Sequence, residues 1–135
     1  MADFAADLVS DFVGDFVGAK VALFCGGQVL TLLRDEVAGL SWAGWWYLPG
    51  GGREGDESAA ACALRELREE FGLHLPEERF LFRHELASMT DPARKAWQFG
   101  GWITKDEVAA IRFGDEGQGW EMMPVGRFLA HERAI

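Results

Sequence analysis

Between Gly51 and Leu73 the chain reads GGREGDESAAACALRELREEFGL, and no other stretch restricts its fold so closely. Gly51, Glu57, Arg65, Glu66, Leu67, Glu69, Glu70, Gly72 and Leu73 spell G-x5-E-x7-R-E-U-x-E-E-x-G-U, with U aliphatic. Ser58 is a good N-cap, the alanine-rich run after it favours helix and Gly72 is a natural stop, so the spacing predicts a helix over 59–71. At about 100° per residue, Ala60, Leu64, Leu67 and Phe71 share one stripe, and Glu66, Glu69 and Glu70 gather on the opposite side. One face is expected to meet the core and the other to be carboxylate.

Like charges three and four residues apart disfavour a helix unless something positive sits among them. Hard divalent cations take carboxylate oxygens, and Mg2+ is held by a few carboxylates plus phosphate oxygens and water. A glutamate run taken alone is more often a solvated helix face. The loop before the helix changes that balance. Leu48-Pro49-Gly50-Gly51-Gly52 lets the backbone turn tightly and approach a ligand, and it leads through Glu57 into the helix. Together they read as an ion site awaiting a phosphorylated ligand.

With loop and helix in hand, the stretch resembles the signature of the Nudix hydrolases, the MutT-like family. Weaker resemblance on both sides accounts for most of the 135 residues. The resemblance implies an α/β fold, a Nudix-type α/β/α sandwich with a mixed β-sheet. It implies hydrolysis of a nucleoside diphosphate linked to another group, with Mg2+ as cofactor or Mn2+ in its place. By position, Glu66, Glu69 and Glu70 match the helix-borne metal ligands, and Gly50 matches the residue whose carbonyl joins them. Arg65 and Glu57 match the pair that steadies loop against helix. An EGQ-containing loop before a Trp-bearing strand adds a further glutamate to the metal site in MutT-like members, and Glu116 has that place here.

The expected catalytic set is therefore Glu57, Arg65, Glu66, Glu69 and Glu70, and the expected metal ligands are Gly50, Glu66, Glu69, Glu70 and Glu116. For substrate binding the candidates are Gly51, Gly52, Arg34 and His131. Arg34 ends a strand where family members often carry a basic residue; an ordinary surface arginine is the equal alternative. His131 is the nearest candidate to a base-reading Asn of the last helix region. The ion would bridge phosphate oxygens and hold a water in line with phosphorus, with one carboxylate taking the proton. Which glutamate does so is left open, because coupled carboxylates share their titration.

Substrate markers are sparse. Met89, sixteen residues past Leu73, stands where ADP-ribose members carry Pro, and the one tyrosine, Tyr47, is not at the position associated with dinucleoside polyphosphates. A nucleoside triphosphate, oxidised or otherwise damaged, is the first choice, giving a monophosphate and pyrophosphate. A nucleotide sugar or ADP-ribose is the alternative, as is a nucleotide-binding module without catalysis.

At 135 residues and 49% hydrophobic, the chain suits one globular domain over 1–135. Cys25 and Cys62 have no metal-like spacing and are too few for a disulfide framework, which suits a reducing cytoplasm. A formal charge of −9 argues against long nucleic acid, and a small nucleotide carried by a divalent ion stays compatible. No apolar run is long enough for a membrane span. Residues 1–17 place Asp at 3, 7, 11 and 15 against Phe4, Leu8, Val9, Phe12 and Val13, an amphipathic helix docked on the core or used in a homodimer contact.

Elsewhere KVALFC and QVLTLLR flank a Gly26-Gly27 turn as two strands. Trp42, Trp45 and Trp46 enter the glycine loop, and packing over the sheet competes with base stacking. Residues 79–87 alternate as a half-buried strand and 96–104 read as its neighbour, joined at Asp91-Pro92. A short helix is expected over 105–111, then a strand WEMMPV and a terminal helix over 125–131. No Ser/His/Asp or Cys/His constellation is recognisable, so a covalent nucleophile is disfavoured.

Overall fold

A computed structural model of the protein describes residues 16–34, 44–88, 93–114 and 118–134. The expectations for the 1–17 helix (residues 1–15), Trp42, the Asp91-Pro92 turn and Glu116 lie outside the described residues.

Alternation in the first two strands determines the layering. β1 (Gly18–Cys25) and β2 (Gln28–Leu33) pair antiparallel around the Gly26-Gly27 turn, with Cys25 opposite Gln28. Ala19, Val21, Leu23, Leu30 and Leu32 fall in one buried cluster, and Ala22 and Val29 fall in another. Successive side chains of a strand point to opposite faces, so both faces of this sheet carry a core.

The first face is covered by α1 (Ala59–Phe71), whose Ala59, Ala60, Ala63, Leu67 and Phe71 join the larger cluster. The second is covered by α3 (Val125–Ala130), which contributes Phe128 beside Met123 of β7 (Gly119–Pro124). This is the expected α/β/α sandwich. The remaining elements are β3 (Trp46–Tyr47), β4 (Gly50–Gly52), a 3-10 turn at Glu77–Arg79, β5 (Phe82–Ala87), β6 (Lys95–Trp102) and α2 (Lys105–Ala109).

The strands of the described residues form one mixed sheet. β1 runs parallel to β6 from Gly18 to Phe24, and the other pairings are antiparallel. β4 pairs with the start of β1, placing Gly50 opposite Lys20 and Gly51 opposite Ala19. β7 pairs with β2, and β3 pairs with the end of β2. The glycine loop is thus held between the first strand and the carboxylate helix.

Two expectations are corrected. The strand predicted over 79–87 begins only at Phe82, and most of it is exposed rather than half-buried. It is the sheet edge, paired with β6 on one side only. Arg79 before it belongs to the 3-10 turn and is held by a bidentate pair with Glu107 on α2, at 2.6 and 2.8 Å. The second correction concerns α1. Glu66 and Glu70 are buried, at 9% and 3% exposure, while Glu69 is exposed and Leu64 is only half-buried. The packed arc is wider than the apolar stripe because Gly50, Gly51 and Tyr47 press against the helix beside it.

Candidate active site

α1 begins and ends as its sequence dictates. Ser58 accepts the Ala61 N–H at 3.1 Å, and Gly72 closes the helix at φ 65°. The N–H of Gly72 donates to Arg68 O, the bond of a left-handed glycine close, that of Leu73 donates to Leu67 O, and the Leu73 side chain is buried. The Gly-aliphatic end of the motif is thereby explained by helix termination. Beyond it, Arg112 N–H donates to Phe71 O and Gly114 N–H to Glu70 O at 2.8 Å, which occupies carbonyls otherwise orphaned at the helix end.

Arg65 is the hub. Its guanidinium makes a fork to Glu57, with Nε to Oε2 at 3.1 Å and Nη2 to Oε1 at 2.8 Å. Nη1 reaches Glu66 at 2.9 Å, Glu69 at 3.1 Å and Glu54 at 3.3 Å. Nη2 also donates to the Gly52 carbonyl at 2.8 Å, binding the helix to β4. Glu57 in turn accepts the Glu54 N–H, and its own carbonyl accepts from Arg53 Nε, so the loop folds around it. Its hydrogen bonds from Arg65 hold the Glu57 carboxyl below the usual carboxylate range, and those same bonds to Glu57 push the Arg65 guanidinium up. Four carboxylates face one guanidinium, leaving a surplus of negative charge. Glu54 was not singled out from sequence, although its place three residues before Glu57 was visible.

Glu70 is fixed from the other side. Its Oε1 accepts the Gly50 N–H at 3.0 Å and its Oε2 accepts the Tyr47 hydroxyl at 3.2 Å. Burial, then the neighbouring Glu70 charge, push the Tyr47 phenol above its ordinary value, so it remains a donor. Gly50 has φ 143°, a backbone that L side chains rarely adopt. At Gly51 the restriction is space, because a Cβ there would come within 2.5 Å of Glu66 Oε1. Cys62 lies below with its sulfur 3.6 Å from the Gly51 and Gly52 carbonyls, and burial pushes its thiol up to about 12. It is an inert packing residue.

On the far side of the glycine ribbon is a cavity of about 350 Å³. Gly50, Gly51 and Gly52 form one wall, Lys20, Arg34 and Tyr47 another, and Leu86, Ser88, Trp97 and Gln98 of the β5–β6 side a third. Arg34 Cζ lies 4.8 Å from the centre of the Tyr47 ring and Lys20 Nζ 6.0 Å from it. Burial, then the proximity of Arg34, lowers the Lys20 ammonium from its usual value.

The fold therefore brings Glu57, Arg65, Glu66 and Glu69 together, with Glu70 and Gly50 joined beside them, and places Arg34, Gly51 and Gly52 on the cavity. His131 is not among the cavity residues; it ends α3, where its Nδ1 accepts the Arg133 N–H at 3.0 Å. Trp46 pairs with Leu33 and contacts the second core cluster, so it packs as the sheet alternative required. Sequence reading missed Lys20, Tyr47, Trp97, Gln98 and Ser88. Lys20 was the findable one, a lone cation in an otherwise apolar strand.

Among the described residues no three His, Cys, Asp or Glu side chains converge on a common metal position. The donor set nevertheless fits a hard divalent cation: it consists of carboxylates of Glu66, Glu69 and Glu70 beside the Gly50 backbone, with charge in excess of the one guanidinium. No helix of the described residues is long and apolar enough to cross a membrane.

The NUDIX domain family matches residues 16–134. No curated protein matches the chain. Among solved structures, a MutT protein from Methanosarcina mazei Go1 superposes with TM-score 0.67 at 23% identity, covering 90% of this chain and 86% of that one. A MutT/nudix family protein from Enterococcus faecalis gives TM-score 0.61 at 21% identity, covering 90% of this chain and 49% of that one. A bifunctional NMN adenylyltransferase/ADP ribose pyrophosphatase from Francisella tularensis, complexed with AMP and a Mn ion, gives 0.65 at 19% identity over 98% of this chain and 41% of that one. The chain thus spans about half or less of two of these proteins, and at these identities the likeness is one of fold. The unbroken motif, the sandwich that presents it and the match over residues 16–134 together mean that the chain belongs to the NUDIX domain family.

Proposed function

We propose that this Nudix hydrolase cleaves the phosphoanhydride of a nucleoside diphosphate linked to a further group, with a nucleoside triphosphate as the preferred class and Mg2+ or Mn2+ as cofactor. The observation that carries the reading is the Arg65-centred carboxylate cluster set directly behind the glycine ribbon, with Glu70 tied to Gly50. A bound divalent ion supplies charge neutralisation at the phosphate oxygens and a more acidic water. Glu66, Glu69, Glu70 and the Gly50 carbonyl would hold it. Arg65 keeps Glu57 and Glu66 in place and limits their mutual repulsion, and a glutamate not saturated by the ion would take the proton of the attacking water. Gly50, Gly51 and Gly52 let the phosphate chain lie close to the backbone.

Glu116 belongs to the same proposal. Gly114 is bonded to the Glu70 carbonyl and packs against the Glu69 carbonyl, so the chain enters the 115–117 segment from the carboxylate end of α1. Glu121, its neighbour in β7, pairs instead with Arg127. A nucleotide and a divalent ion are also what the Francisella tularensis neighbour was solved with. The test is a nucleotide panel with Mg2+ and Mn2+, products resolved by chromatography, in 18O water. Label in the monophosphate or in pyrophosphate identifies the phosphorus attacked. Turnover of no nucleoside diphosphate derivative would overturn the reading.

A further inference from the structure

The side of the glycine ribbon away from α1 has a charge pattern that the motif does not contain. The whole chain carries −9, yet no Asp or Glu is among the described residues lining the cavity, and its charged members are Lys20 and Arg34. Both cations rest on the Tyr47 ring. Arg34 Nε is buried with no hydrogen-bond partner among the described residues, and Lys20 makes no ion pair with any of them. Two like charges held together on one ring, without an ion-paired carboxylate among the described residues, leave polar hydrogens suited to an anion. Glu70, which meets the Tyr47 hydroxyl, has its two oxygens engaged by Tyr47 and Gly50.

We propose that Lys20, acting with Arg34 across Tyr47, is a specificity-determining residue that receives the phosphoryl group beyond the diphosphate, so that the site selects a polyphosphate chain over a neutral sugar. The assignment rests on the hydrolase reading above and sharpens its substrate. Charge counting supports it: the terminal phosphoryl group of a triphosphate carries about two negative charges, which the two cations balance. A sugar in the same place would leave both cations desolvated and unpaired, and a site built for a polar partner rejects a ligand that lacks it. The ribbon joins the two halves, because the Gly50–Gly52 segment lines the cavity on one side and is bonded to Arg65 and Glu70 on the other. A phosphate chain laid along it meets carboxylates and their ion at one end and Lys20 with Arg34 at the other.

The experiment uses the full chain, first in EDTA, with inorganic tripolyphosphate and pyrophosphate as calorimetric probes against wild type, Lys20→Met and Lys20→Arg. Wild type should bind tripolyphosphate more tightly than pyrophosphate. Lys20→Met should weaken tripolyphosphate about tenfold, as the loss of a charge-assisted contact does, and Lys20→Arg should stay within about threefold. With Mg2+, Lys20→Met should raise KM for nucleoside triphosphates about tenfold at similar kcat and lower it for nucleotide sugars, which no longer strand that charge. Lys20→Gln repeats the comparison if the methionine variant is poorly folded by circular dichroism. Unchanged tripolyphosphate binding in folded Lys20→Met overturns the inference while leaving the hydrolase reading standing. Weakened binding in a protein that hydrolyses no nucleotide supports the anion site and removes the hydrolase reading instead.

Discussion

The Tyr47 hydroxyl donates to Glu70 across 3.2 Å, while the Gly50 N–H takes the other oxygen of the same carboxylate at 3.0 Å. The last glutamate of the motif is thus oriented by a strand residue outside it, and Tyr47 joins the carboxylate helix to the cation-lined cavity.

Tyr47→Phe keeps the ring on which Arg34 and Lys20 rest and deletes one hydrogen bond. Residues that orient metal ligands commonly cost tenfold or more in activity or ion affinity when removed. The expected outcome is a roughly tenfold fall in kcat or in apparent metal affinity, with a stability loss of about 1 kcal/mol. Steady-state kinetics across a Mg2+ titration, with a parallel thermal melt, checks it. Wild-type values in both would show that the Tyr47 hydrogen bond is not needed to hold Glu70.

Gly51→Ala separates stability from activity. Gly51 is not among the positive-φ glycines, so alanine suits its backbone, but the new methyl would stand 2.5 Å from Glu66 Oε1 and 2.7 Å from its Cδ. The end of a side chain can swing away at a cost of about 1 kcal/mol, yet a displacement on the order of 1 Å in a reacting group can lose a hundredfold in rate. A melting temperature within a few degrees of wild type and a kcat down by about two orders of magnitude are expected. Retention of full turnover would show that Glu66 has no catalytic position to lose.

Helix α1 was legible to the residue because its signals are local: a Ser58 cap, an alanine run and a Gly72 stop. The sandwich and mixed sheet followed from resemblance. What sequence did not carry was how far the buried arc of α1 extends past Leu64 and Leu67, since that depends on Gly50, Gly51 and Tyr47 arriving from elsewhere in the chain. Edge position is equally non-local, and so the alternation over 79–87 was read as half-buried although β5 is mostly exposed and pairs with β6 alone among the described strands. Arg34 was placed by the end of its strand, but its stacking on Tyr47 beside Lys20 depends on pairings among β1, β2, β3 and β4. The motif glutamates could be named; which partner holds each oxygen required the fold.

Ion binding should register as stability. Glu54, Glu57, Glu66 and Glu69 share one guanidinium, so the metal-free protein carries uncompensated repulsion that a divalent cation relieves. Saturating Mg2+ or Mn2+ at a hundred times Kd stabilises the native state by about 2.7 kcal/mol through mass action. A melting series against ion concentration should therefore rise and then plateau, and the rise should disappear in Glu66→Gln/Glu70→Gln. No rise at millimolar ion would mean that the cation binds only together with phosphate.

The Arg79–Glu107 pair gives a pH signature remote from the site. Hydrogen bonds from Arg79 are the largest influence on the Glu107 carboxyl, holding it at about 2 against an ordinary value of 4.5. The native state therefore binds that proton less readily than the unfolded chain does. Its contribution to stability is complete above the unfolded value and is lost as pH falls from about 4.5 toward about 2. The pair is partly exposed, so the whole contribution is about 1 kcal/mol after solvent screening, or roughly 4 °C in melting temperature. Glu107→Gln should melt that much below wild type at neutral pH, with the gap closing as the medium is acidified through this window. A gap that stays constant down to the lowest pH at which both proteins fold would show that the variant loses packing at the Thr104 cap of α2 rather than an ion pair.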